Sequence, residues 1–147
     1  MSYSVIFISG LLMVIFVAIA ILHIYWAFGG KWGALSVIPT KETKSQVTMP
    51  GPIPTLIVAL GLFLFAFIVL LQVLPETMAS SETLIILKKY GLWSIAVIFL
   101  IRALGDFNYV GLFKKIKHTR FAQMDTKLFT PLCLMIGASS IVLELLT

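Results

Sequence analysis

Residues 53–74 read IPTLIVALGLFLFAFIVLLQVL, an apolar run without a charged side chain, interrupted only by Pro54, Thr55 and Gln72. A helix rises ~1.5 Å per residue, so about 20 residues cross the ~30 Å hydrocarbon layer of a bilayer. This run is long enough to do so. Three more apolar stretches, at about 5–28, 88–107 and 128–146, have comparable length. The chain as a whole is 60% hydrophobic and 12% charged, with a mean hydropathy of +1.07. Soluble domains carry roughly 25% charged residues. No soluble fold of 147 residues could hide this much apolar surface, so lipid must be the solvent for most of it. The alternating segments of about ten residues that build membrane barrels are absent. The sequence therefore predicts an all-α, membrane-embedded four-helix bundle, a single transmembrane domain over 1–147 with those four spans. The first run is expected to remain as a span. Its leader, MSYS, has no positive charge, and its apolar core exceeds the ~7–15 residues of a signal peptide.

Lysine and arginine placement predicts orientation. Lys31, Lys41 and Lys44 lie between spans one and two; Lys114, Lys115, Lys117, Arg120 and Lys127 lie between spans three and four. The opposite side holds only Lys88 and Lys89. This bias predicts two basic cytoplasmic loops and both termini outside, in a plasma membrane. The net charge of +5 is then topological bias plus attraction to anionic lipid at the cytoplasmic face, and gives no reason to expect a nucleic-acid partner. The lone Cys133 cannot form an intramolecular disulfide, which excludes a membrane dithiol oxidoreductase.

The connections carry further signals. The prolines and glycine of MPGPIP stop any helix from continuing through residues 49–54, and Pro54 suits the first turn of span two. Leu84 to Leu87 either lie at the interface or extend span three by a turn. The second basic loop, residues 110–127, mixes Phe113, Ile116 and Phe121 with cations. Either a helix lying in the headgroup plane or a solvated loop has that composition.

Polar side chains gather near the predicted inner boundary. His23 falls roughly 27 Å along helix one from Val5, and Arg102 about 21 Å along helix three from Lys88, with Asp106 one turn further. His23 and Trp26 share a face, as do Arg102, Asp106 and Tyr109. An unpaired guanidinium at that depth would cost a few kcal/mol, which Asp106 can offset. Asp125 and His118 are expected in the loop, with Asp125 able to fold back toward Arg102. Two readings follow: a cytoplasm-facing ligand site using His23, Trp26, Arg102, Asp106, Tyr109 and Asp125, or an anchoring arrangement of snorkelling cations and interfacial aromatics. Neither P-loop spacing nor a metal-ligand cluster accompanies them, and no cofactor or metal is expected. Glu144 is expected at a solvated helix end, and Cys133 as a small packing residue.

The block His23-Ile-Tyr25-Trp26-Ala-Phe-Gly29-Gly30 resembles the first-helix signature of a family of small bacterial four-span membrane proteins, known only as a domain of unknown function. The block Arg102-Ala-Leu-Gly105-Asp106-Phe107-Asn-Tyr109-Val-Gly111 is similar to that family too, as are Thr119-Arg-Phe121-Ala-Gln-Met-Asp125 and Pro131-Leu-Cys133-Leu. The resemblance implies the same fold and a bacterial inner membrane, without an activity.

Three function classes remain. The first is a bundle binding or moving a small anionic molecule, lipid headgroup or ion. The second is an accessory or structural subunit, alone or in a homo-oligomer or with a membrane partner, using small-residue contacts such as 137–140. The third is an enzyme. Arg102, Tyr109, Arg120 and Pro131-Leu-Cys133 look faintly like the glutathione-using membrane transferases of eicosanoid metabolism. Span two, however, lacks the Glu, Arg, His and Asn residues which that family places there, so the reading favours a non-enzymatic protein.

Overall fold

A computed structural model describes residues 2–39, 50–75 and 81–147, among which there are helices and no strands. Helix α1 covers Tyr3–Ala27, the short α2 Ala34–Val37, α3 Pro52–Val73 and α4 Glu82–Leu104. A last rod over Arg120–Leu146 consists of α5 (Arg120–Met124), a π-turn (Asp125–Phe129) and α6 (Thr130–Leu146). Lys41 and Lys44 lie outside the described residues.

Four of these helices are long and apolar enough to cross a membrane, and only 22% to 39% of each most apolar window is buried. The remainder faces outward as Leu, Ile, Val and Phe, which only lipid can solvate. The chain is a multi-pass membrane protein.

What holds the helices together is a narrow seam. In α1 the buried positions are Val5, Ser9, Leu12, Phe16 and Ala20, spaced three or four apart so that they form one stripe. Helix α3 answers with Thr55, Ala59, Leu62, Ala66 and Val69. Packing is most extensive between α1 and α3 and between α4 and α6, with α3 against α4 and α1 against α6 completing the bundle. At the centre, Phe16, Phe65 and Phe99 from three helices meet with ring centroids 5.6 to 6.1 Å apart. Lipid is as apolar as the core, so close backbone approach matters more than hydrophobicity. Gly137 supplies it: a Cβ there would stand 2.9 Å from Leu100 Cγ on α4. Gly91 does the same for Ile68 of α3. Gln72, buried in α3, donates to the carbonyl of Lys88 at 2.9 Å, satisfying an amide that lipid could not.

Helix ends follow local chemistry. Pro52 opens α3 within its first turn. Ser81 caps α4 by accepting from the Leu84 amide at 3.3 Å, so Leu84 to Leu87 are helical and extend the span. Thr119 caps the last rod, accepting from Ala122 at 3.1 Å. The fourth span therefore begins at Arg120, and no helix covers residues 105–118. Of the two alternatives for the second basic loop, the structure has the loop over residues 105–118, with no helix lying in the headgroup plane there. Helix α2 packs against α5, which puts residues 28–39 and the chain between α4 and α5 at the same end of the bundle.

Candidate functional site

The basic end is organised by two aspartates with different tasks. Helix α4 stops at Gly105, whose backbone (φ 85°, ψ −169°) belongs almost exclusively to glycine. Asp106 consequently lies outside the helix, and the expected one-turn pairing with Arg102 does not form, because the helical spacing on which it relied ends first. Asp106 Oδ1 instead accepts from the amides of Asn108, Tyr109 and Val110 at 2.9, 2.7 and 2.9 Å. These backbone N–H groups hold its carboxyl below the ordinary value of 3.8. The turn returns the chain to α4: Leu112 N–H donates to the Ala103 carbonyl at 2.9 Å. Gly111 (φ 89°) makes this approach without a side chain, since a Cβ would lie 2.6 Å from Gly105 Cα.

Asp125 is the second. Expected as a loop residue, it opens the π-turn and is completely buried. Arg102 Nη2 donates to its Oδ1 at 3.0 Å; Lys114 Nζ and the Gly111 amide donate to Oδ2, each at 2.8 Å. Thr130 Oγ1 adds a fourth donor at 3.1 Å. The fold-back toward Arg102 thus occurs. Its cause is the π-turn: residues five apart diverge in an α-helix of 3.6 residues per turn, whereas the wider turn brings Thr130 over Asp125. The Thr130 amide also donates to the Asp125 carbonyl. Pro131, next in the chain, has no N–H to continue the normal ladder, which makes the irregular turn cheap at this point.

Charge does not balance here. Four donors converge on the Asp125 carboxylate, one on Oδ1 and three on Oδ2. Lys114 has three donors, of which Asp125 and the Gly111 carbonyl (3.2 Å) take two. Arg102 Nη1 is buried without a partner among the described residues. Beside this cluster is an open groove of about 250 Å³, lined by Gly111, Leu112, Lys114, Lys117, Thr126, Thr130, Pro131 and Leu134.

The remaining predicted residues form a separate constellation. His23 Nδ1 donates to the Ile19 carbonyl at 2.8 Å, and its ring meets Trp26 edge-on at 5.2 Å. Trp26 Nε1 donates to the Trp32 carbonyl at 2.9 Å, while Trp32 N–H donates to the Tyr25 hydroxyl at 3.3 Å. Gly30 lies under the Tyr25 ring, where a Cβ would overlap it. Among the described residues, no hydrogen bond or ion pair joins His23 or Trp26 to Arg102, Asp106, Tyr109 or Asp125. No group of three His, Cys, Asp or Glu side chains able to hold a metal occurs among the described residues.

Lys114, Gly111 and Thr130 were not singled out by sequence reasoning. Lys114 reads as one more charge in a basic loop, and no continuous helix joins it to Asp125.

A family model described as "Protein of unknown function (DUF3995)" matches residues 16–140. No curated protein and no solved structure matches the chain.

Proposed function

The chain belongs to the DUF3995 family, described as of unknown function, and we propose from its geometry that it binds a phosphate-type anion, free or as a lipid headgroup, in the groove at its basic end. One observation carries this reading: two cations, Arg102 and Lys114, share the single carboxylate of Asp125 beside the groove, which leaves excess positive charge there, and Lys114, a groove-lining residue, retains an unused donor among the described residues. Lys117 adds a second, exposed amine, and the Thr126 and Thr130 hydroxyls add polar groups. Phosphate oxygens are suited to such charge-assisted donors. The residues lining the groove include no nucleophile–base pair, so the reading is binding rather than chemistry. The excess of Lys and Arg in the two long connections supports a cytoplasmic position for this end.

Thermal unfolding of the detergent-purified protein tests the reading. Either inorganic phosphate or phosphatidylglycerol should raise Tm, since a ligand at 100 times its Kd adds about 2.7 kcal/mol. Lys117→Gln should blunt the rise. If neither anion moves Tm, the groove is not an anion site.

A second reading, an accessory subunit whose aspartate cluster only fixes the loop, is supported by the full satisfaction of Asp125. It predicts a stoichiometric membrane partner in pull-downs and no anion response.

A further inference from the structure

Resting on the anion reading of the same groove, we infer that its occupant is an anionic phospholipid that enters from the bilayer, headgroup in the groove and chains along α6. The groove has two halves. Lys114, Lys117, Thr126 and Thr130 form a polar half; Pro131 and Leu134 belong to the membrane-spanning rod. These last two residues continue a stripe. Pro131, Leu134, Met135, Ala138 and Val142 are all exposed and recur at spacings of three and four, so they lie on one face of α6. That face is the one turned away from the buried Cys133, Ile136, Gly137, Ser140 and Leu143. The groove is thus the upper end of a lipid-facing track, and a soluble anion would leave its apolar wall unused.

The groove is open and about 250 Å³, with Pro131 and Leu134 of the rod on its wall, so the chains of a lipid whose headgroup sits in it would run along the exposed α6 stripe. Charge selects among headgroups. Lys114 has an unused donor among the described residues, Lys117 is exposed, and Asp125 is paired with both Arg102 and Lys114. Asp125 is wholly buried and already paired with two cations, so it offers no counter-charge to the ammonium of a zwitterionic lipid, whereas a headgroup of net negative charge gains from the amines.

Native mass spectrometry of the full chain released from detergent tests this. Equimolar phosphatidylglycerol and phosphatidylcholine are offered, with millimolar sn-glycerol 3-phosphate as competitor. One phosphatidylglycerol should remain per chain, at least tenfold above phosphatidylcholine, and glycerol phosphate should not displace it. Lys117→Gln should reduce retention about tenfold. Lys115→Gln removes the same charge from an exposed lysine that does not line the groove, and should leave retention unchanged. Displacement by glycerol phosphate would overturn the lipid inference and leave the anion site standing. Equal losses in the two lysine variants would reduce the effect to diffuse surface attraction and overturn the groove itself.

Discussion

Lys114 Nζ stands 2.8 Å from Asp125 Oδ2, with the carboxylate wholly buried and the lysine only 5% exposed. Breaking a buried pair by removing one partner costs about 3–5 kcal/mol, because an uncompensated charge remains. Asp125→Asn should reach that range, since it strands Lys114 and Arg102 together. Lys114→Met should cost less, for Arg102 still neutralises Asp125. The double variant should be more stable than the sum of the singles predicts. Reversible unfolding in mixed micelles measures all three; strictly additive losses would mean that the pair is not coupled.

Asp106 gives the loop a pH dependence of known sign. Its folded carboxyl titrates below 3.8, so protonation favours the open loop. The stabilisation is complete above the ordinary carboxyl value and disappears as pH falls through the lower folded one. Hydrogen exchange at the Asn108, Tyr109 and Val110 amides should be flat above about pH 5 once corrected for intrinsic rates, and lose protection below about pH 4. Asp106→Asn keeps one acceptor and should weaken protection; Asp106→Ala should abolish it.

Glycines separate into two groups with opposite expected outcomes. Gly105→Ala forces a side chain into a conformation costing about 1–3 kcal/mol, and its Cβ would overlap the Val110 carbonyl. Gly111→Ala brings a Cβ to 2.5 Å from the Leu104 carbonyl. Both should lower Tm and expose the Asp125 cluster. Gly10 and Gly61 sit inside helices where an added Cβ would meet nothing within 4 Å, so alanine there should be neutral or stabilise by up to ~1 kcal/mol. Thermal melts of the four variants decide the matter.

The four spans were legible because lipid demands long uninterrupted apolar helices, and residues 53–74 admit no other reading. The site was legible only in part. Arg102 marked the right place, but its partner could not be read from helical spacing, since Gly105 breaks the helix before Asp106. Asp125 reaches Arg102 through a non-helical return of the chain, and such returns leave no periodic trace. One local signal does point the right way: Thr119 ahead of Arg120-Phe121-Ala122 is a capping residue, and it starts the last helix before Asp125 rather than after it. His23 and Trp26 share only a depth with Arg102. Depth says nothing about azimuth, and each has its hydrogen-bond partner near the end of α1 instead.

The side of the membrane on which the groove opens determines which leaflet can supply its ligand. Along the sequence, eight cations fall between spans one and two or spans three and four as read from hydropathy, against two between spans two and three, which predicts a cytoplasmic groove. Thiol labelling checks this directly in a Cys133→Ala background. Thr83 and Lys115 are exposed at opposite ends of α4 and its following loop, so each can carry a reporter cysteine without entering the core. A membrane-impermeant maleimide should label Thr83→Cys in intact cells and Lys115→Cys only after permeabilisation. The reverse pattern would invert the topology, expose the groove to the outer leaflet, and exclude any anion available only from the cytoplasm.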